Sequence, residues 1–266
     1  FYTERSSLFV GIIMTTRERS QRVEALILRH QRWGEADRIL TIFSKEHGKL
    51  RVIDKGVRKT TSRKAGHIEL FMQSILQLAK GRDFWILTQV ETINAFLPLR
   101  DDLQKLGTAS YVIELMDKFT YDDGANPRLY RLVVETLERL CTDEPAFVVL
   151  RNYEMRLLDL LGYRPQLFQC IGCQEEIKAE DQYFSALVGG VICPRCAHKY
   201  EDARRISMSA LKYFRHFQRS TYKESLAATP EPEVTLEIER IMQWYLTFLL
   251  ERGINSQVFL QQIQKK

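Results

Sequence analysis

The run RILTIFSKEHGKLRVIDK, residues 38–55, sets the architecture. Arg38–Ser44 is rich in β-branched and aromatic side chains, and Lys49–Asp54 resumes that pattern after the tight turn Lys45-Glu46-His47-Gly48. Gly48 can take the positive φ that such a turn requires. Working outward, Arg22–His30 sets Val23, Ala25 and Ile27 on one face and Leu26 and Leu28 on the other. The apolar run Ile68–Ala79 is expected to be a further strand, and Lys80-Gly81-Arg82-Asp83 turns the chain into Phe84–Glu91. Five strands joined by short turns imply a small antiparallel barrel of the OB-fold kind; SH3-like barrels fit the count nearly as well.

From Asp101 the apolar period changes. Leu106, Ala109, Val112, Ile113 and Met116 follow helical spacing, as do Leu129, Leu132, Val133, Leu137 and Leu140 within Arg128–Cys141. A third helix is expected over about 145–161, stopped by Gly162 and Pro165. Ser207–Arg219 and about 232–251 follow, with a short docking helix over Ser256–Ile263. The fold class is therefore α+β: an N-terminal OB-fold barrel (17–97), then an α-helical bundle (98–266) with an inserted module over 165–200. Residues 1–16 read as an N-terminal extension or start-site artefact, with Met14 a plausible start. Leu8–Ile13 is too short for the apolar core of a signal peptide.

The inserted module carries Cys170-x-x-Cys173, nineteen intervening residues, then Cys193-x-x-Cys196. Two residues between thiolates let one knuckle present both sulfurs to one ion, and Tyr183–Gly190 can form the hairpin that returns the second pair. Four thiolates fill a tetrahedral shell, so a zinc ion, one per chain, would be structural. His198 reads as a surface residue. Cys141 stands alone in a helix. Paired knuckles without a disulfide framework fit a reducing, cytoplasmic setting. No apolar run reaches the roughly 18 residues of a membrane span.

The net charge of +5 is unevenly placed: 17–82 carry +9 and 83–266 carry −4. A basic barrel points to a polyanion partner. Arg38, Lys45, Lys49, Arg51, Lys55, Arg58, Lys59, Arg63 and Lys64 crowd into one stretch. Lys49, Arg51 and Lys55 alternate along one strand and share a face, and the 58–64 loop adds Thr60, Thr61 and Ser62 as phosphate donors. Trp33, Phe43, Phe71, Phe84 and Trp85 are candidates for stacking on bases, Trp33 foremost because it adjoins Gly34 in a turn. The sequence lacks a G-x-x-x-x-G-K-[ST] loop, an H-E-x-x-H helix and a G-x-S-x-G elbow. Its five histidines are scattered, so no catalytic site is visible and the chain does not read as an enzyme.

The run Gly34-Glu35-Ala36-Asp37-Arg38-Ile39-Leu40-Thr41, then Glu46-His47-Gly48-Lys49-Leu50-Arg51, then Lys55-Gly56-Val57-Arg58-Lys59 resembles the bacterial RecO family of recombination mediators. So do Leu161-Gly162-Tyr163-Arg164-Pro165, Phe184-Ser185 and Gly189-Gly190. The resemblance covers about 20–265. It implies a protein of DNA repair and recombination that binds single- and double-stranded DNA and anneals complementary strands. With RecR, such a protein assists the loading of RecA onto DNA coated by single-strand-binding protein, whose acidic C-terminal tail it contacts. It places DNA contact on Lys49, Arg51, Lys55 and the loop with Arg58, Lys59, Arg63 and Lys64, to which the basic stretch adds Arg38, and zinc on Cys170, Cys173, Cys193 and Cys196. Arg128, Arg131 and Arg139, beside apolar helix faces of the bundle, are expected to rim a pocket for the tail. Two alternatives stand beside it: a zinc-ribbon factor of transcription or translation, and a nuclease with an unrecognised site.

Overall fold

The computed structural model describes residues 19–60, 62–121 and 124–250. Five strands, β1 (Ser20–Trp33), β2 (Asp37–Ser44), β3 (Gly48–Asp54), β4 (Gln73–Lys80) and β5 (Trp85–Asn94), close into a barrel of order β1-β2-β3-β5-β4. Antiparallel ladders join all neighbours except β3 and β5. That seam is parallel and short: Val52 faces Trp85 and Ile53 faces Ile86. The swap of β4 and β5 in the order gives the Greek-key closure of an OB barrel.

The two apolar faces of β1 serve two cores. Val23, Ala25 and Ile27 point into the barrel with Leu40, Ile42, Val52, Leu76, Leu78 and Leu87. Leu26 and Leu28 point outward, and with Phe43, Phe71 and Phe96 they join the core of the helices. A register shift between Ile27 and Arg29 bends the strand where the faces part.

The run Ile68–Ala79 is not one strand. Ala65–His67 is a single 3₁₀ turn, Phe71 has φ +70°, and β4 begins only at Gln73. Apolarity misleads here because its residues serve different layers: Ile68 and Met72 plug the barrel, whereas Phe71 faces the helices.

The helical part opens with a short turn, α1 (Pro98–Asp101), then α2 (Leu103–Phe119), α3 (Pro127–Leu140) and α4 (Ala146–Leu160). Asp102 caps α2 by accepting from the N–H groups of Gln104 and Lys105, and Asn126 caps α3 through Leu129 N–H. The inserted segment contributes a small sheet of order β7-β6-β8, from β6 (Gln182–Ser185), β7 (Gly190–Ile192) and β8 (Arg204–Ile206). The chain then returns to the bundle as α5 (Met208–Arg219), the single turn α6 (Tyr222–Ser225) and α7 (Pro232–Leu250). Leu167, Phe184, Ala186 and Val191 of the insert are buried in the bundle's own core. The expected extension 1–16 and the tail helix 256–263 lie outside the described residues. Among the described residues no helix is long and apolar enough to cross a membrane.

Candidate nucleic-acid interface and metal centre

Strand β3 carries Lys49 and Arg51, β2 carries Arg38, and the segment after β3 carries Lys55, Arg58, Lys59, Arg63 and Lys64; their neighbours decide which are free to meet a ligand. Lys49 is not free. Its ammonium pairs with Asp117 at 2.6 Å and donates to the carbonyls of Asp117 and Thr120 at the end of α2. Lys64 turns inward to the fully buried Asp54 and donates to Leu87 O at 3.2 Å. Burial pushes the Asp54 carboxyl up, while the Lys64 hydrogen bond and the charges of Lys64 and Arg38 oppose it. Arg38 pairs with Glu69 at 3.1 Å. Arg38 and Lys64 hold the barrel's own frame, and Lys49 ties the barrel to the end of α2.

Arg51, Lys55, Arg58, Lys59 and Arg63 are exposed. They fall into two groups, Arg51 on β3 and the others past its end, with Arg51 and Lys55 about 13 Å apart at the usual strand rise. At one end Arg51 faces a cleft of about 480 Å³, shared with His47, Lys80, Arg82, Phe84 and Trp85. It lies over the short β3–β5 seam and reaches Gly124 of the α2–α3 loop. Lys80 and Arg82 were legible in the sequence only as turn residues; the antiparallel β4–β5 hairpin brings them to Arg51. At the other end Lys55 and Lys59 flank Gly56 beside the β1–β2 hairpin, and Arg58 reaches Gly34 O. Trp33, 48% exposed, stands on that hairpin. Phe43 and Phe71 are core residues and cannot stack on a ligand.

Gly48 joins this interface to the bundle. Its φ is +70°, and a Cβ there would lie 2.0 Å from Gly124 O. The turn therefore needs glycine twice over, for its backbone and for the close approach of the α2–α3 loop.

The four knuckle cysteines converge. Their Sγ atoms all lie within 4.8 Å of one another, and Cys173 and Cys193 are 3.8 Å apart. A tetrahedral ion with sulfur ligands at about 2.3 Å needs sulfurs about 3.8 Å apart, so the set fits zinc. The crowded sulfurs share their protons unequally: burial raises the Cys170 thiol, but N–H donors from Cys193, Cys173 and Gly172 draw it down to about 6, whereas hydrogen bonding to Cys193 and burial push Cys196 up to about 12. The second knuckle packs so closely that a Cβ on Gly172 would lie 2.9 Å from Cys196 Cβ. Arg195 pairs with Glu175 across the two knuckles. His198 sits in a 3₁₀ turn after Cys196 and is not part of the sulfur cluster.

Known proteins match both halves of this arrangement. The family model "Recombination protein O N terminal" covers residues 18–96, and "Recombination protein O C terminal" covers 100–257. The chain belongs to the RecO family. A protein named DNA repair protein RecO from Roseiflexus sp. (strain RS-1) is 38% identical over 249 residues, 94% of this chain and 88% of the relative. A namesake from Dehalococcoides mccartyi (strain ATCC BAA-2266 / KCTC 15142 / 195) is 33% identical over 94% of this chain and 98% of its own. One from Symbiobacterium thermophilum is 30% identical over 90% and 95%. The RecO barrel and bundle thus coincide with the two family halves, and the cysteine cluster lies within the C-terminal one.

Proposed function

We propose that this RecO-family chain is a non-enzymatic recombination mediator that binds single- and double-stranded DNA on its barrel and anneals complementary strands. The observation that carries this reading is the cleft that Arg51, Lys80 and Arg82 line together with Lys49, Asp83, Phe84 and the half-buried Trp85, none of Arg51, Lys80 and Arg82 having an ion-pair partner among the described residues. Phosphates there replace condensed counterions, and an aromatic ring offers a face to an unpaired base. Lys55, Arg58, Lys59 and Arg63 extend the path toward Trp33. Arg38, Lys49 and Lys64 position the strands that carry it. Two DNA strands repel through their phosphates, and a surface that neutralises both raises their encounter rate without reading sequence.

Cys170, Cys173, Cys193 and Cys196 would hold a zinc ion, which would supply a cross-link to the insert and, with four thiolates bound, no catalytic chemistry. The family assignment supports work with RecR in loading RecA, in the cytoplasm at the nucleoid. It also supports contact with the acidic tail of single-strand-binding protein. For that tail the bundle offers a pocket of about 410 Å³ lined by Lys212, Tyr213, His216, Ala228 and Val234, between α5 and α7. The rim expected from sequence is a weaker fit, because Arg139 already pairs with Glu135 at 3.1 Å and lies 3.7 Å over the Tyr222 ring.

The test is annealing of complementary strands coated by single-strand-binding protein. The wild-type chain accelerates it, and the double reversal Arg51→Glu, Arg82→Glu removes the acceleration and weakens binding to every sequence alike. DNA cleavage by the purified protein, or annealing indifferent to that reversal, rejects the reading.

A further inference from the structure

On the bundle, two guanidiniums of α5 share one ring at the lead-in to the first cysteine knuckle, and a third, from α4, is tied to the residue that ends α5. Arg215 and Arg219 stand one turn apart on α5, and both lie over the ring of Phe168, at 5.1 and 3.6 Å from its centroid. Arg215 Nε donates to Leu167 O at 2.7 Å. Arg156 of α4 reaches past the end of α5 to donate to Ser220 O. None of the three has a carboxylate partner among the described residues. The acids nearest in sequence are engaged elsewhere: Glu154 with Arg151 at 2.9 Å, Asp159 with Arg164 at 3.5 Å, and Glu224 in the capping box of α6.

This is an unusual way to spend arginine. A surface guanidinium with water around it needs no neighbour, but here the aromatic ring and two backbone carbonyls fix three of them in orientation. Burial of Arg215, and then the charge of Arg219, destabilise its cationic form and lower its pKa. An anion with several oxygens would relieve that repulsion and accept from the guanidinium N–H groups that the two carbonyls leave unused. Planar forks fixed in advance are suited to phosphate oxygens.

We propose that Arg156, Arg215 and Arg219 form a second phosphodiester-binding surface, which holds one DNA strand while the barrel holds another. The proposal rests on the reading of the barrel as a DNA site, and it gives annealing its second berth. The ligand is the sugar–phosphate backbone, taken without regard to sequence.

The experiment uses the full chain and two variants. Arg219→Glu changes an exposed side chain; Arg156→Gln removes charge without reversing it. Each is titrated with a labelled single strand and then, saturated with that strand, with a complementary and a non-complementary second strand. Expected is first-strand affinity within twofold of wild type, loss of the second binding event, and annealing slowed about tenfold. Photo-cross-linking of the second strand should map to the 156–168 and 215–220 segments. Annealing and second-strand binding unchanged in both variants overturn the proposal. So does displacement of the second strand by polyglutamate at matched charge, which reassigns the surface to an acidic peptide. The control Arg51→Glu, Arg82→Glu keeps the two readings apart: if it leaves first-strand affinity intact, the barrel assignment fails, whatever Arg219→Glu does.

Discussion

Lys49 and Arg51 sit two residues apart on one strand face, yet they should fail in opposite ways when mutated. Lys49→Met removes an ammonium held by one carboxylate and two carbonyls, in a pair whose side chains are only 17% and 25% exposed. Hydrogen bonds to charged groups contribute about 1.5–3 kcal/mol each, and breaking a partly buried pair also strands Asp117. Partial exposure discounts the sum, so a loss of about 2–4 kcal/mol is expected. Arg51→Met removes an exposed guanidinium and should change stability by less than about 0.5 kcal/mol. DNA binding should show the reverse order. Losing one phosphate contact lowers the slope of log K against log salt by about 0.9 on duplex and about 0.7 on single strands. Arg51→Met should do this; Lys49→Met, measured where it remains folded, should leave the slope unchanged. Urea denaturation and a salt titration of binding on the same preparations decide the matter. A Lys49→Met protein as stable as wild type, with a reduced salt slope, would refute the reasoning.

Metal analysis of protein purified without chelator should find close to one zinc per chain, and Cys170→Ser should lower the melting temperature while the barrel stays folded. Gly48→Ala combines a left-handed backbone with a Cβ 2.0 Å from Gly124 O; it should cost more than the roughly 1–2 kcal/mol of backbone strain alone, read as a lowered denaturation midpoint. Burial raises the Glu154 carboxyl from 4.5 to about 7 against the pull of Arg151 and Tyr111, so the folded chain keeps a proton that the unfolded chain releases. The stability from this group is present below pH 4.5 and falls as pH rises to about 7; Glu154→Gln should flatten the denaturation midpoint across that window.

The barrel was legible because its strands are rich in β-branched and apolar residues and its turns carry glycine; the double-faced β1 could be read from Val23, Ala25 and Ile27 against Leu26 and Leu28. The cysteine cluster was legible from spacing alone, since each knuckle is local. The Ile68–Met72 segment was not, because a run of apolar residues carries no sign of which layer each one enters. The same limit applied to cations. Alternation placed Lys49 and Arg51 on one face, but only the packing of α2 against the β2–β3 turn distinguishes a tethered lysine from a free arginine. Lys80 and Arg82 lie some thirty residues from Arg51 in sequence, and pairing of β5 beside β3 makes them neighbours. The short elements α1, α6 and β8 carry too few residues for a period to show.

Because the outer wall of β1 is at the same time an inner wall of the helices, the barrel cannot be lifted out as a portable part. Cut after β5, it would present Leu26, Leu28, Phe43 and Phe71 to water, all of them less than 5% exposed in the whole chain. Such a fragment is a sticky plate rather than a soluble reader of nucleic acid. In the intact chain the amide protons of β1 should exchange only when everything opens, at the slowest rate in the molecule. Insertions are then tolerable at the Trp33 hairpin or the Lys80–Asp83 turn, at the rim of the barrel. Along β1 even a one-residue slip would turn both cores inside out.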